Sequence, residues 1–195
     1  MKKRKIPIAL ILGAVLIFVS LSFVITYQIR IHVGEKQCRA VTSKMQELLP
    51  ERSLGIPGTY PSLAMPSLQI DGTDYVALLE IPSMNVSLPV ADKWNSKKLF
   101  DSPARFCGSA YDSSLVIGGR DQGHQFAFCD KIDNGTVVII TDMTGAQFTY
   151  TVKRVDRSDS AKSAWLADGE FDLTLFCRDA YSTKYIAVRC VFAYK

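Results

Sequence analysis

The sequence predicts an all-β fold, a closed β-barrel of about eight strands with short helices, set behind an N-terminal transmembrane helix. Three observations carry this expectation. Short segments rich in β-branched and aromatic residues alternate with turn-forming residues, helical periodicity is nearly absent from the same region, and one long apolar run stands at the N-terminus.

The apolar run comes first in the chain. After MKKRK the sequence continues IPIALILGAVLIFVSLSFVIT, residues 6–26, which are 21 residues without a charge and enough for a helix that crosses a bilayer. A cleaved signal peptide would carry an apolar region of about 7–15 residues and a small-x-small cleavage site. The segment FVITYQIR offers no such site. By the positive-inside rule Lys2, Lys3, Arg4 and Lys5 keep residues 1–5 in the cytoplasm, so the rest of this single-pass protein of the cell membrane lies outside. These four residues also account for the formal net charge of +4, because removing them from 23 basic residues leaves 19 against 19 acidic ones. A neutral exterior part has no electrostatic footprint for nucleic acid, and no nucleic-acid partner is expected.

Residues 27–52 carry Val33, Val41, Met45, Leu48 and Leu49 at loosely helical spacing and read as a stalk helix. SLGIPGTYPSLAMP, residues 53–66, reads as a linker because of its prolines and glycines. The barrel domain is then residues 67–195. Its strands are YVALLEI (75–81), NVSLPV (85–90), SLVIGG (114–119), TVVIITD (136–142), QFTYTVKRV (147–155), DLTLF (172–176) and KYIAVRCVFAY (184–194). Asn134-Gly135 and Met143-Thr144-Gly145 supply turn chemistry, the second joining two strands as a hairpin. Residues 96–101 and 159–167 are the helical windows.

Few residues suit metal or cofactor chemistry. Two His and five Cys form neither a CxxC pair nor HExxH, so no metal site and no cofactor are expected. Outside the cell some thiols could pair, Cys107 with Cys190 being one candidate, and the odd count leaves at least one free. Cys129 reads as a packing residue in a short turn and His32 as a residue of the stalk.

Three segments, in order, resemble the sortases, membrane-anchored cysteine transpeptidases of Gram-positive bacteria. YVALLEIPSMNVSLPV is similar to the strand that opens the sortase barrel, RFCGSAYDSSLVIGGRDQGHQF to the strand that usually ends Ala-Gly-His, and DLTLFCRDAYSTKYIAVRC to the closing strand pair. The resemblance covers residues 75–190 and implies the sortase fold. It also implies a chemistry in which cysteine attacks the carbonyl after threonine in a signal such as Leu-Pro-x-Thr-Gly and forms a thioacyl intermediate. Histidine acts as acid and base, arginine steadies the oxyanion, and an amine of the cell wall or a pilin takes the acyl group.

Residue by residue, the family pattern meets substitutions. VIGGR against Val-Ile-Ala-Gly-His puts Arg120 at the histidine position, or Gly119 if the alignment slips by one. DLTLFCR against Asp-Leu-Thr-Leu-Phe-Thr-Cys puts Cys177 at the threonine and Arg178 at the cysteine, and YIAVRC puts Tyr185 at the essential arginine. A guanidinium with pKa above ~12 neither attacks a carbonyl nor exchanges a proton near neutrality. Tyr185 can donate one hydrogen bond to an oxyanion but brings no positive charge.

The resemblance therefore implies a pseudoenzyme, with no catalytic residue at the expected positions. Such a protein would have a binding or accessory role in surface-protein or pilus anchoring, with a sorting-signal peptide, a pilin or another sortase as partner. The alternative is an active transpeptidase with a displaced nucleophile, Cys177, and His124 as its base. Against it, a one-residue slip in a strand turns the side chain to the opposite face. A further expectation comes from the matching pairs GGRDQ and FCRDA. Arg120, Asp121, Arg178 and Asp179 form a candidate binding set, either sealing the site through the pairs Arg120–Asp179 and Arg178–Asp121 or holding an external carboxylate or phosphate.

Overall fold

A computed structural model describes residues 8–95, 99, 101–123 and 125–194. Helix α1 (Ile8–Leu48) leads into β1 (Ser53–Leu54), β2 (Leu68–Ile70), β3 (Thr73–Ile81), a 3-10 turn at Pro82–Met84, β4 (Val86–Ala91), β5 (Ala104–Cys107) and β6 (Leu115–Arg120). There follow β7 (Val137–Asp142), β8 (Ala146–Ser158), the short helix α2 (Ser163–Leu166), β9 (Leu173–Arg178) and β10 (Tyr185–Phe192). Eight strands close a ring in the order β3, β4, β5, β6, β9, β10, β8, β7 and back to β3. Closure removes the unpaired edges that an open sheet would present.

Alternation builds the barrel wall. Along β8 the side chains of Ala146, Phe148, Tyr150 and Val152 are buried in the interior, while those between them are only half-buried. The β7–β8 hairpin turns at Gly145, whose φ of 85° suits glycine and whose Cβ, if present, would lie 2.7 Å from the Glu51 carbonyl oxygen. Buried Asp142 fixes the same turn by accepting hydrogen bonds from Thr144 N–H (2.8 Å), Thr144 Oγ1 (2.7 Å), Ala146 N–H (3.0 Å) and Tyr111 Oη (2.6 Å). A buried carboxylate is tolerated where its oxygens are satisfied in this way.

Helix α1 has two unlike halves. Residues 14–30 are exposed throughout, whereas Gly34, Cys38, Val41 and Met45 are buried, recurring every three or four residues on the face that meets the barrel. The helix runs through position 26 without a break, and its apolar part, with mean hydropathy 2.1 and no buried residue, is long enough to cross a membrane.

Several sequence expectations need correcting. The expected linker forms a strap on the barrel: Ser53 and Leu54 pair in parallel with Ala146 and Gln147 of β8, Tyr60 stacks on Tyr111 at 3.9 Å, and Met65 is buried in the core. Strand β5 was not foreseen, because four residues are too few to show a period. The helical window at 159–167 shrinks to α2, and of the window at 96–101 only residues 99 and 101 are among those described. The Cys107–Cys190 disulfide does not form. Cys190 sits in the barrel interior while Cys107 packs on the outer cluster with Phe176 and Ala187, so the sheet separates them and all five thiols are free.

Candidate functional site

Strands β6, β9 and β10 lie side by side, and their register decides what shares a face. Across β6 and β9, Gly118 pairs with Phe176, Gly119 with Cys177 and Arg120 with Arg178. Across β9 and β10, Phe176 pairs with Ala187, Cys177 with Ile186 and Arg178 with Tyr185. Arg120, Arg178 and Tyr185 therefore form one row on the outside of the barrel, and the adjacent row, Gly119, Cys177 and Ile186, faces the interior. Both inner side chains are about 1% exposed.

The outer row lines a groove of about 580 Å³ that also borders Tyr27 of α1 and Trp94. Glycine is required at its floor: a Cβ on Gly118 would come within 2.3 Å of the Trp94 ring, and one on Gly119 within 2.7 Å of Phe126 on the other side of the wall. Trp94 stacks on Phe176 with ring centroids 5.6 Å apart, and Phe106 meets both edge-on at 5.3 and 5.4 Å. This aromatic wall gives one side of the groove a rigid apolar surface beside the two guanidinium groups.

The two aspartates act on the rim loops. Asp121 accepts a hydrogen bond from Ala180 N–H at 2.9 Å, tying the loop after β6 to the β9–β10 loop. Asp179 accepts from Tyr181 N–H at 2.8 Å and Ser182 Oγ at 2.7 Å. Those bonds, Tyr181 first and then Ser182, hold its carboxyl below the ordinary carboxylate value. The sealing pairs Arg120–Asp179 and Arg178–Asp121 are not among the ion pairs of the described residues. Each carboxylate is held by loop groups before it can reach across. The mouth of the groove consequently stays open beside Arg178, which is exposed.

Cys177 is on the wrong side of the wall for attack on a ligand in this groove. Its Sγ lies 3.9 Å from the Phe126 carbonyl oxygen in the barrel core, beside Cys129. Burial, followed by the hydrogen bond with Cys177, pushes the Cys129 thiol well up, and burial alone raises those of Cys107 and Cys190. At Cys107, Cys129 and Cys190 the raised pKa removes the thiolate that nucleophilic attack requires. His124, the expected alternative base, lies outside the described residues, and His32 is exposed on α1.

Arg189 was missed as a key residue. It is fully buried on the outer face of β10, where Nε bonds Asp156 at 3.1 Å, Nη1 bonds the Leu166 carbonyl at 3.0 Å and Thr174 Oγ1 at 3.1 Å, and Nη2 bonds the Trp165 carbonyl. Asp168 adds a second carboxylate at 3.7 Å, and the guanidinium lies 5.0 Å from the centre of the Trp165 ring. The partners come from α2 and strand ends distant in sequence, so only the alternation Tyr185, Ala187, Arg189 hinted at its face. Among the described residues no cluster of His, Cys, Asp and Glu could hold a metal ion.

Comparison with known proteins agrees with this architecture. The family model for the sortase domain matches residues 79–193, more than half of the chain. Sortase A from Corynebacterium diphtheriae superposes with a TM-score of 0.55 at 15% identity, covering 91% of this chain and 92% of its own. Sortase C1 from Streptococcus agalactiae gives 0.54 at 21% identity, covering 65% and 72%, and a sortase D5 transpeptidase of Clostridium perfringens gives 0.52 at 19%, covering 61% and 79%. Identities this low speak for the fold alone. Comparison with curated protein sequences finds no match. With the ring of eight strands and the domain match over its length, the chain belongs to the sortase family.

Proposed function

We propose that this protein is a membrane-anchored sortase-family member that binds in its groove without covalent catalysis, serving an accessory role in the anchoring of surface proteins or pili. One observation carries the reading. The row formed by the ends of β6 and β9 and the start of β10, where the family resemblance puts base, nucleophile and oxyanion donor, holds Arg120, Arg178 and Tyr185. Two guanidinium groups and a phenol can position a ligand but supply no nucleophile or proton shuttle at neutral pH. The retained groove and its aromatic wall support a sorting-signal peptide, on its own or as part of a pilin or of a complex with a catalytic sortase, as the partner. Helix α1 serves as the anchor, with the barrel outside the cell.

The test is incubation of the full chain with a threonine-containing sorting peptide and an amine acceptor, followed by mass spectrometry. The expected result is no thioacyl adduct and no exchanged peptide, with peptide binding weakened by Arg178→Ala. An adduct on Cys177 that disappears in Cys177→Ala overturns the reading and makes the protein a transpeptidase with a displaced nucleophile.

A further inference from the structure

The groove and the membrane meet at one residue. Residues 8–26 rise ~1.5 Å each along the helix, giving ~28 Å, close to the hydrocarbon thickness of ~30 Å. Tyr27 is the first residue beyond that stretch, at the depth where interfacial tyrosines sit, within a headgroup layer about 5–7 Å deep on each side. Helix α1 first becomes half-buried just past this point, at Ile31, and buried at Gly34. Tyr27 nevertheless borders the same groove as Arg120 and Arg178, and its Oη lies 3.5 Å from Gln122 Nε2, a long hydrogen bond from the loop that follows Arg120. Arg120 and Arg178 therefore line the groove at headgroup depth.

A second observation points the same way. The β9–β10 loop contributes Ala180 and Ser182 to the groove wall, and between them Tyr181 is 99% exposed. A fully exposed tyrosine at a loop tip, on the side of the barrel where the helix leaves for the bilayer, suits an aromatic residue lodged among headgroups. Guanidinium groups bind phosphate oxygens through two parallel N–H donors, and anionic lipids concentrate phosphate at this surface.

We infer that the groove takes up the phosphate of an anionic phospholipid headgroup, held between Arg120 and Arg178 with Tyr181 set in the interface. The inference rests on the reading of α1 as a membrane anchor. Lipid in the groove would compete with a peptide for the two arginines and make peptide binding sensitive to membrane composition.

The experiment places the full chain in nanodiscs of phosphatidylcholine with or without phosphatidylglycerol and counts, by native mass spectrometry, the lipids retained on the released protein. Phosphatidylglycerol should be retained in preference to phosphatidylcholine, and Arg120→Gln with Arg178→Gln should lower that preference about 25-fold, roughly five-fold per arginine. Arg30→Gln removes a charge from α1 near the same depth but outside the groove wall, and should lower it several-fold less. Equal loss in Arg30→Gln, or no lipid preference in the wild type, overturns the inference. So does a phosphate adduct that forms from inorganic phosphate in phosphatidylcholine discs and is lost in the double variant, which would mark a site for soluble anions. A chain that fails to co-elute with the nanodiscs overturns the anchor reading, and the lipid inference falls with it. The thioacyl assay is read separately, so catalysis and lipid binding can fail independently.

Discussion

Two rows of side chains, one residue apart on the same three strands, divide the work of this barrel. The inner row of Gly119, Cys177 and Ile186 is dry and tightly packed, whereas the outer row of Arg120, Arg178 and Tyr185 opens into a groove. A strand side chain's direction follows strictly from its position in the pleat, so a slip of one residue exchanges a core cysteine for a groove arginine. The family's chemistry depends on which row carries the thiol. Here the thiol belongs to the packing of the barrel, and the groove is left with charge.

The largest effect that can probe this contrast is on stability. Ile186→Ala removes fully buried atoms from the inner row and should cost about 2–5 kcal/mol in denaturant unfolding, because the barrel wall around it relaxes only in part. Arg178→Ala, in the outer row of the neighbouring strand, should leave the unfolding midpoint nearly unchanged. Comparable losses from the two substitutions would mean that the outer row is structural as well, and that the groove is a packed surface.

The next effect is on reactivity. Arg178→Cys transfers a thiol to the outer row without touching Cys177. In the folded protein, alkylation at neutral pH followed by peptide mapping should label the cysteine at position 178 rapidly and Cys107 slowly, since Cys107 is only half-buried and its thiol is raised by burial. Cys177 should remain unlabelled until the protein unfolds. Rapid labelling of Cys177 in the native wild type would show that the inner row opens to solvent and would restore it as a candidate nucleophile.

The strands that carry the two rows were legible in the sequence, unlike much of what surrounds them. The seven foreseen strands all form, and laying Arg120, Arg178 and Tyr185 on the family motifs puts them where the register makes them neighbours. The period of the strand also placed Cys177 opposite to Arg178. Continuity of α1 was harder to see, because its outer half is uniformly apolar and only Gly34, Cys38, Val41 and Met45 show the stripe that meets the barrel. The strap at 53–66 reads as a linker since its ladder is two residues long and its register is set by β8, a strand nearly a hundred positions later. Arg189 draws no reading from the sequence, because its partners Asp156 and the Leu166 carbonyl are 33 and 23 positions away and become visible only when α2 folds over β10. Local pattern specifies faces; it does not specify what covers them.

The smallest effect separates the groove rim from the strands beneath it. Asp179 has its carboxyl held below the ordinary value of 3.8 by Tyr181 N–H and Ser182 Oγ, so its contribution is fully present above that value and is lost as pH falls through the lowered one. Amide resonances of Tyr181 and Ser182, followed by NMR from roughly pH 6 down to about pH 2, should keep their positions until the pH drops below the ordinary carboxylate range and then move. In Asp179→Asn the side-chain oxygen still accepts but carries no charge, and this acid transition should vanish from both amides. The β9 amides and the β10 amides from Tyr185 to Val191 should be unaffected, because no carboxylate of the rim holds their ladder; Phe192 is left out of the comparison, since its N–H donates to Asp172 at the far end of the strand. If they moved with Tyr181, rim and strands would open as one unit, and a ligand entering beside Arg178 would have to distort the barrel wall to do so.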